Sequence, residues 1–582
     1  MGIPRPGNRP VVLARADDNP DDAYANRARR LGLPFVPEVM LDAGVDVDMA
    51  AIRRGTFAKS SGAAGVAFVA PEDATLPEIA HWLARYPAAR QRLCVATPMA
   101  IRSALIHAGA ARFAVNAVNR LAILYPDLSA RRVITGRQVV VGLGLAAAVA
   151  LAFRFAAVPT VIVLNLIGAI FFFGVSALRF IAASFVSGRA SGDADVETDG
   201  AAGDLPVYTI LVPLLHEAHL VADLVAALGR IDWPRDRLDI KLIVEADDPA
   251  TIAAVRTSAH GPPFEVIIVP QGPPRTKPKA LSFALPFARG DFVTVYDAED
   301  QPHPRQLRQA YATFMRSPHE IACLQATLAV DNADASLLAR LFAIEYSTLF
   351  DGLLPALAAL DLPLPLGGTS NHFRRDVLVE VGGWDPFNVT EDADLGLRLA
   401  RFGYRSATID LPTLEEAPAT MQSWVRQRTR WFKGWMQTWL VHTRHPLRLL
   451  HELGWRRFLG FNLIGTGLIV SALIHPVYLA TLLVMATDPI GLWGDGGAFA
   501  AMVVGINLFN LFAGYTAMAA LALRTLELRG HGGQARALVA LPIYWLLMSL
   551  ASYRALIHLV ARPHNWEKTP HRGRGKRTGR RP

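Results

Sequence analysis

The chain has 582 residues and only two cysteines, Cys94 and Cys323. Two cysteines so far apart exclude a disulfide framework and a metal cage built from several thiolates. The first 30 residues are polar and charged, and they lack the apolar core of a signal peptide. Charged residues make up only 19% of the chain, whereas 52% are hydrophobic. These scarcities favour a membrane protein whose non-membrane part lies in a reducing compartment.

Long apolar stretches form two groups, and each stretch is near the roughly 20 residues that cross a bilayer core. The first group is about 138–157 and 159–185, and the gap between its members is so short that we expect a transmembrane hairpin. A hairpin returns the chain to its starting side of the membrane. The second group, about 457–486, 498–523 and 537–560, predicts a C-terminal membrane region.

Charge sets the expected orientation of the C-terminal membrane region. The loop 487–497 has two Asp and no basic residue, so we expect it outside, whereas the arginine-containing loop 524–535 is expected in the cytoplasm. Three full crossings would then leave the basic tail outside, against the positive-inside tendency. We therefore interpret the stretch 537–560, which contains Pro542 and Arg554, as partly re-entrant or interfacial.

The tail 561–582 is strongly basic, with seven basic residues from Lys568 to Arg581. Such a tail can bind nucleic acid or an anionic lipid surface. Because it follows a membrane region, the lipid surface is favoured. We expect membrane lipids as a partner and no nucleic acid.

The N-terminal part divides into a segment 1–25, expected to be disordered, and a small α/β domain over 26–130. Within that domain, Val66–Ala70 and Leu93–Ala96 are short apolar runs suited to buried strands. A helix-like stretch follows each of them.

Two runs in this domain, Arg30–Val36 and Val69–Asp73, resemble the N-terminal domain of type II secretion and pilus assembly ATPases. Some members of that domain family bind cyclic di-GMP, so the resemblance implies a nucleotide or a protein partner. The tandem Leu/Gln-rich nucleotide motif of those binders is not evident here. A docking or folding domain without a ligand therefore remains the alternative.

From Pro206 onward, short apolar runs alternate with helix-length segments, after a Gly-, Ser- and Asp-rich linker at Ser187–Asp204. The predicted strands are Val207–Val212, Ile240–Glu245, Phe264–Val269, Asp291–Tyr296 and Tyr404–Ile409. This alternation predicts a mostly parallel sheet with helices on both faces, whose ligand binds at the carboxyl ends of the strands. Acidic residues follow three of these strands, at Glu217, Asp247 and Asp297.

Three clusters then follow in a fixed order between the two membrane regions: Asp-Ala-Glu-Asp at 297–300, Thr-Glu-Asp at 390–392 and Gln-Arg-Thr-Arg-Trp at 427–431. In this order they resemble the catalytic core of a processive family-2 glycosyltransferase of the bacterial cellulose and hyaluronan synthase type. The resemblance covers about 205–440. It implies an α/β GT-A fold, a Rossmann-like domain with a mostly parallel sheet, inserted between transmembrane helices.

The resemblance assigns a donor side to the site. Asp297 and Glu299 match the family's metal-binding motif, which implies a divalent cation, Mg²⁺ or Mn²⁺, on the diphosphate of a nucleotide sugar. Asp248, with Asp247 beside it, resembles the residue that contacts the base and ribose. Arg430 resembles the residue that steadies the pyrophosphate.

A lysine is also implied on the donor side. Lys279, in the run 276–281, resembles the lysine that meets the diphosphate, and Lys277 is the less favoured choice. Solvated lysines without a ligand are the alternative for both.

An inverting transfer needs a base that deprotonates the acceptor hydroxyl, and Asp392 resembles that base. Capping of the helix that begins there is its alternative role. Gly368 and Thr369 lie in a run that resembles the family's acceptor-side loop. Gln427 belongs to the same acceptor side, and Trp431 resembles the residue that stacks on the acceptor sugar.

Residues 422–440 are expected to form a helix that carries four tryptophans. These are Trp424, Trp431, Trp435 and Trp439, which then fall within an arc of about 80° because each residue advances by about 100°. For Trp435 and Trp439 we favour an interfacial membrane belt. The apolar segment Leu337–Leu354 is interpreted as another interface helix.

The sequence therefore predicts an inverting, multi-pass glycosyltransferase of a bacterial inner membrane with a cytoplasmic catalytic domain. It is expected to polymerise a polysaccharide from a nucleotide sugar, with a UDP-sugar favoured, and to translocate the growing chain. Transfer of a single sugar to a lipid carrier is one alternative, against which the 427–431 motif argues. A non-catalytic membrane receptor or secretion component of the same fold is another, against which the complete acidic set argues.

Overall fold

A computed structural model describes residues 20–42, 47–61, 65–186, 205–259, 261–487 and 497–568. The chain forms two compact units, Met1–Phe113 and Ala114–Pro582. The expected linker 187–204, most of the loop 487–497 and most of the basic tail lie outside the described residues.

The first unit contains a three-stranded sheet and short helices. Its elements are α1 (Pro20–Leu31), α2 (Met49–Arg54), β1 (Phe57–Lys59), β2 (Ala67–Val69), α3 (Leu76–Arg85), β3 (Leu93–Val95) and α4 (Pro98–Ala108), and α5 (Ala110–Leu124) contains the boundary between the units. Strand β1 pairs antiparallel with β2, which pairs parallel with β3. Leu31, Leu83 and Val95 lie in its core. Both predicted strands are present. The resemblance of this domain to secretion ATPases and its extent to residue 130 stay predictions.

Helix α1 differs from the expectation because it begins at Pro20, inside the segment expected to be disordered. Proline suits the start of a helix, where its missing N–H would have no partner. Asp21 and Asp22 occupy the first turn, where negative charge is favoured by the helix dipole.

The second unit is built on an eight-stranded sheet. Its strands are β4 (Tyr208–Leu214), β5 (Leu238–Glu245), β6 (Phe264–Val269), β7 (Phe292–Val295), β8 (Gln301–Pro302), β9 (Ile321–Val330), β10 (Asn371–Arg374) and β11 (Arg405–Glu415), and their order is β6-β5-β4-β7-β10-β9-β11-β8. The first four in this order are parallel. Strand β10 runs antiparallel to both of its neighbours, and β8 runs antiparallel to β11. The sheet is therefore mostly parallel, as predicted.

Helices separate these strands along the chain. They are α7 (Val221–Leu228), α8 (Pro249–Ser258), α9 (Lys277–Ala284), α10 (Gln306–Arg316), α11 (Leu337–Ser347), α12 (Leu354–Ala359), α13 (Arg375–Glu380), α14 (Glu391–Arg401), α15 (Met421–His442) and α16 (Pro446–Phe461). Strands β4 and β5 are buried along nearly their whole length, which explains the apolar sequence of β4. In β5, the charges of Asp239 and Lys241 are buried as an ion pair at 2.8 Å. Helix α15 confirms the helix predicted over 422–440.

Five helices among the described residues are long and apolar enough to cross a membrane: Gly136–Phe185, Leu337–Ala359, Pro446–Ala480, Met502–Leu528 and Gly532–Ala561. The first of them is α6 (Gly136–Phe185), whose 50 residues contain a break in helical geometry at Ala156. A straight helix of that length would measure about 75 Å, more than twice the bilayer core. The two stretches predicted to form a hairpin lie on either side of this break, and the hairpin itself stays a prediction.

The C-terminal helices are α17 (Gly467–Thr487), α18 (Gly497–Leu528) and α19 (Leu541–Ala561). Neither Pro542 nor Arg554 interrupts α19, and the partly re-entrant or interfacial placement of 537–560 stays a prediction. Pro542 lies in the first turn of α19, where it costs no helical hydrogen bond. Arg554 forms an ion pair with Glu567 at 2.9 Å, so its charge is neutralised near the helix end.

The segment expected to be an interface helix comprises α11, a π-helical turn at Thr348–Leu353, and α12. It is mostly buried in the second unit. The turn is held by Arg529, which forms an ion pair with Asp351 and donates a hydrogen bond to the carbonyl oxygen of Leu328 at 2.8 Å. This segment therefore joins the sheet to the end of α18.

Candidate active site

One cavity of about 370 Å³ runs from the carboxyl ends of β4, β5 and β7 to the apolar helices. Its polar half is lined by Glu217, Glu245, Lys277, Asp297, Glu299, Gly368, Thr390, Glu391, Asp392, Glu415, Gln427, Arg430 and Lys568. Its apolar half is lined by Val175, Leu178, Arg179, Leu463, Leu468, Met518, Leu521, Tyr544, Trp545 and Met548. The position of the polar half is where a parallel α/β sheet binds ligands.

Asp297 and Glu299 directly follow β7 and line the polar half, as their place in the sequence predicts. The Asp297 carboxylate accepts a hydrogen bond from the Lys277 ammonium, which also donates to the carbonyl oxygen of Gly368 at 2.7 Å. Burial alone lowers the pKa of Lys277, but the carboxylates of Asp297 and Glu391 outweigh burial and raise it above its usual value. Lys277 is therefore a permanent positive charge beside the acidic residues.

The favoured lysine, Lys279, lies elsewhere. Its ammonium is buried and donates to the carboxylate of Glu245 at 3.2 Å and to the carbonyl oxygens of Pro270 and Gly272. Because α9 begins at Lys277, side chains two positions apart leave the helix on different sides. Of the two lysines, Lys277 is the one that lines the cavity, and which of them meets a donor stays a prediction.

Thr369 lines the cavity, and its expected contact with the acceptor stays a prediction. Its hydroxyl is buried, donates to the Asp300 carboxylate, and lies 3.2 Å from the carbonyl oxygen of Val295. Asp300 also accepts the backbone N–H of Asp297 at 2.7 Å. Burial and the neighbouring carboxylates raise the pKa of Asp300 well above its usual value. Through these hydrogen bonds, Thr369 and Asp300 connect the loop that contains Gly368 to the turn that contains Asp297 and Glu299.

The base and ribose contact assigned to Asp248 stays a prediction, and its carboxylate faces backbone amides in this structure. It accepts the N–H of His216 at 2.5 Å and, as the N-cap of α8, the N–H of Thr251 at 3.2 Å. Burial by itself raises the pKa of Asp248, but these backbone hydrogen bonds bring it below its usual value. The residue of this strand end that lines the cavity is Glu245, which the sequence reading passed over.

The Thr390–Asp392 turn at the start of α14 is positioned by α15. The side chain of Asn388 donates to the Thr438 hydroxyl at 3.0 Å, and the N–H of Val389 donates to the side-chain carbonyl of Gln437 at 3.2 Å. Gly434 permits the contact, since a Cβ there would lie 2.2 Å from the Thr390 hydroxyl oxygen.

Asp392 lies in the polar half, as predicted for a base. One carboxylate oxygen accepts the N–H of Ala393 at 2.9 Å, and the other would lie 3.4 Å from a Cβ placed on Gly368. A helix start lowers the pKa of a carboxylate, but here burial dominates and raises the pKa of Asp392. Burial and the charge of Asp392 raise the pKa of the adjacent Glu391 to about 7.

These pKa values predict a pH-dependent rate. Only an ionised Asp392 can accept a proton, so activity should fall as the pH drops through the shared titration of Asp392 and Glu391. Because burial raises the pKa of Asp392, this fall in kcat should begin at a higher pH than for an ordinary aspartate. A profile of kcat between about pH 4 and about pH 8 measures it. A flat profile over this range would contradict the assignment.

Gln427 and Arg430 lie where the sequence placed them, on the cavity wall. The side-chain carbonyl oxygen of Gln427 and the hydroxyl oxygen of Thr390 are buried and have no hydrogen-bond partner among the described residues. Groups of this kind suit the hydroxyls of a bound sugar. Arg430 lies 5.6 Å from the ring of Trp566, and its charge attracts the carboxylates of Glu391 and Asp392.

The four tryptophans of α15 have different surroundings. Trp424 is fully buried and packs against Tyr544, with ring centroids 5.4 Å apart. Trp431 and Trp435 line the cavity, and Trp439 packs against a core cluster. The interfacial role of Trp435 and Trp439 stays a prediction.

Arg428 is a residue of the motif to which we assigned no role. Its guanidinium lies 4.4 Å from the ring centroid of Trp431 and 4.8 Å from that of Phe342. It also donates to the Glu345 carboxylate at 2.6 Å. Tyr544 of α19 donates to the other oxygen of Glu345 at 2.6 Å. Arg428, Glu345 and Tyr544 therefore hold the Trp431 ring in place and connect it to the apolar helix α19.

The position of Trp431 predicts a loss of product length on substitution. Trp431→Ala should shorten or eliminate polymer, because a stacking contact with a sugar ring contributes roughly 1 kcal/mol or more. Donor binding should be unchanged. Trp455, which is 70% exposed, offers a matched control in Trp455→Ala. Product sizing on gels checks the expectation, and full-length polymer at a normal rate from Trp431→Ala would contradict it.

A segment after α19, residues 562–568, also reaches the cavity. Lys433 and Gln437 hold it through the carbonyl oxygens of Asn565 and Pro563, at 2.6 and 2.9 Å. Lys568 forms an ion pair with Glu217 at 2.7 Å. Lys568 was counted with the lipid-binding tail, and no local pattern indicated its place at the site.

Two family models match this part of the chain. The model described as glycosyl transferase family 2 matches residues 209–370, and the model described as glycosyl transferase family group 2 matches residues 292–514. The chain therefore contains a family-2 glycosyltransferase domain. Together with the sheet topology, this confirms the predicted GT-A fold class.

Curated relatives share this domain. A probable glycosyltransferase of Bacillus subtilis, YdaM, is 26% identical over 40% of this chain and 56% of its own length. Probable glucomannan 4-beta-mannosyltransferase 3 of Arabidopsis thaliana is 24% identical over 45% of this chain and 49% of its own length. The chain thus spans about half the length of the curated relatives it matches.

Among solved structures, the mannosyltransferase PcManGT of Pyrobaculum calidifontis, in complex with GDP-Man and Mn²⁺, is similar to this chain. It is 19% identical, and the match covers 67% of this chain and 95% of that one with a TM-score of 0.42.

Proposed function

We propose that this protein is an inverting membrane glycosyltransferase that polymerises a polysaccharide from a nucleotide sugar and passes it through its own apolar helices. The observation that carries the proposal is one continuous cavity that joins the acidic strand ends to the apolar helices. A soluble transferase has no need of an apolar extension from its acceptor side. The localisation that follows is a bacterial inner membrane with the transferase domain in the cytoplasm.

The donor is proposed to bind in the polar half. Lys277 and Arg430 supply fixed positive charge for a diphosphate, and both line the cavity beside the acidic residues. Glu245, at the end of β5, replaces Asp248 as the residue offered to the nucleoside. We favour a UDP-sugar as the donor, although these residues do not distinguish one nucleotide base from another.

The residues at the end of β7 fit a divalent cation. Asp297 and Glu299 present hard oxygen ligands, and burial together with the carboxylates of Glu299 and Asp297 raises the pKa of Glu415 to about 8, which marks uncompensated negative charge. Within the described residues, no three His, Cys, Asp or Glu side chains form a complete metal site. Asp297 and Glu299 would therefore share a cation with donor oxygens and water. When bound, the cation neutralises charge on the leaving diphosphate.

The transfer is proposed to depend on Asp392. Its carboxylate removes the proton from the acceptor hydroxyl as that oxygen attacks the anomeric carbon and the diphosphate leaves. Gln427 and Thr390 offer hydrogen bonds to the acceptor sugar, while Trp431 offers a stacking surface. Gly368 leaves room beside the Asp392 carboxylate for the reacting ring.

A second candidate is the transfer of one sugar to a lipid carrier. The apolar half of the cavity favours it specifically, because leucine and methionine side chains there would also accommodate a hydrocarbon chain. The two candidates share donor, base and fold, and they differ only in the acceptor.

The deciding experiment uses the purified full-length chain in lipid nanodiscs with a panel of nucleotide sugars. The proposal expects donor turnover with a water-soluble polymer as product, and linkage analysis then gives the sugar. A lipid-extractable glycoside of one sugar would establish the second candidate. Binding without turnover of any donor would overturn both.

The first unit is proposed to regulate the transferase or to dock a partner, with cyclic di-GMP as one candidate. Deleting Met1–Phe113 should leave turnover within about twofold, because Arg120 and Tyr125 keep their hydrogen bonds to the carbonyl oxygens of Val379 and Glu380. Turnover with and without added cyclic di-GMP checks this expectation. Loss of folding in the shortened chain would mark the first unit as structural.

A further inference from the structure

Arg179 carries a charge in the apolar half of the cavity. It lies near the end of α6 and lines the cavity together with apolar residues such as Leu178, Leu468 and Met548. A charged side chain in apolar surroundings is costly unless it is paired, and in a membrane segment it usually marks a functional site.

The guanidinium of Arg179 lies 5.7 Å from the ring centroid of Trp545. Within the described part of the chain, Arg179 makes no hydrogen bond or ion pair. The carboxylate of Glu345 attracts it, but both oxygens of that carboxylate are already engaged. One accepts from Arg428 and the other from Tyr544, each at 2.6 Å.

The charges of the two halves differ in sign. The polar half has more carboxylates than cationic groups, so its net charge is negative, which suits the binding of a divalent cation. Among the described residues of the apolar half, the Glu345 carboxylate attracts both Arg179 and Arg428, so the two positive charges exceed it by one. Glu345 also binds Arg428, whose guanidinium contacts the Trp431 ring, so Arg179 and the proposed acceptor platform share this carboxylate as a neighbour.

We propose that Arg179 forms an anion-binding subsite on the acceptor side of Trp431. This rests on the proposed function, because it takes the cavity to hold an acceptor. The ligand is a carboxylate or phosphate carried by the acceptor, which the planar guanidinium can bind through two parallel hydrogen bonds. Two sources supply this chemistry: an acidic sugar within the growing chain, or the phosphate of a lipid-linked acceptor.

The test measures binding to the full-length chain in nanodiscs of uncharged lipid, by tryptophan fluorescence. The probes are a neutral hexose tetrasaccharide, the same tetrasaccharide oxidised to carboxylates at C6, and a polyprenyl phosphate. The variants are Arg179→Gln, Arg179→Lys and the matched control Arg154→Gln. Arg154 lies on the first half of α6, beside the ring of Phe155 and exposed.

We expect one anionic probe to bind the unmodified chain at least about tenfold more tightly than the neutral tetrasaccharide, the effect of one charge-assisted contact. This preference should vanish in Arg179→Gln, persist in part in Arg179→Lys and remain whole in Arg154→Gln. Preference for the oxidised tetrasaccharide assigns the subsite to an acidic polymer, and preference for the polyprenyl phosphate assigns it to a lipid-linked acceptor.

Equal binding of all three probes to the unmodified chain overturns the proposal, as does a preference that survives in Arg179→Gln. A preference lost equally in Arg154→Gln would mean that general membrane charge is responsible, which also overturns it. Donor turnover, measured separately on the same samples, distinguishes failure of this subsite from failure of the transferase assignment. Arg179→Lys keeps the test valid if Arg179→Gln does not fold.

Discussion

Asp392→Asn is expected to lower kcat at least about 100-fold, the low end for the loss of a general base. Asparagine has nearly the same size, and its side-chain oxygen can still accept the N–H of Ala393, as the carboxylate does at 2.9 Å. The turn between Thr390 and α14 should therefore keep its shape. What the amide cannot do is take the proton from an acceptor hydroxyl.

Steady-state turnover and donor binding, measured on the same preparation, separate the possible roles of Asp392. Unchanged donor affinity with lost turnover is the expected result. Near-normal turnover would move the base to Glu391, whose carboxylate is buried in the same polar half. Loss of donor affinity would make Asp392 a donor-site residue instead. Thr443→Ala, at the end of α15, provides a matched control for changes that only affect helix ends.

The parts of the fold that could be predicted are those that local sequence determines. Strand β4 and the second half of β5 are apolar runs because they are buried, and Asp297 reaches the cavity because it follows the end of β7. The order of the motifs along the chain also predicted that Asp392 and Trp431 belong to one site, and both line the cavity. In each case the information lies within a few residues of the element itself.

Strand β10 shows why other parts could not be predicted. It has only four residues, Asn371–Arg374, and its polar side chains are buried. His372 is satisfied by a hydrogen bond with Tyr208 at 2.8 Å and a second with Gln306 at 3.2 Å. Both partners are distant in sequence, so the segment reads locally as a polar loop.

The site shows the same limit. Choosing between Lys277 and Lys279 requires the helix start, since the two side chains leave α9 in different directions. The sequence Thr276-Lys277-Pro278 contained a usable signal, because proline favours the first turn of a helix. The position of Lys568 beside Glu217 had no such signal, because it depends on how residues far apart in the chain pack.

Asp297→Ala is expected to abolish measurable turnover, a loss of at least about 100-fold, because stabilisation of a leaving diphosphate by a cation contributes several kcal/mol. The substitution removes one of the two proposed cation ligands and also the carboxylate that accepts a hydrogen bond from Lys277. With that carboxylate gone, the Lys277 ammonium is free to approach the donor phosphates, so donor binding should survive in a form that no longer depends on metal.

The measurement that checks this role is donor binding with and without Mn²⁺ and with a chelator. The unmodified chain should bind its donor roughly tenfold more tightly with metal, the effect of one lost charge-assisted contact. Asp297→Ala should show the same weaker affinity under all three conditions. Asp236→Ala is the control, since the Asp236 carboxylate is 79% exposed and lies outside the cavity. Full turnover of the unmodified chain in chelator would remove the metal role, and normal turnover of Asp297→Ala would remove Asp297 from the donor site.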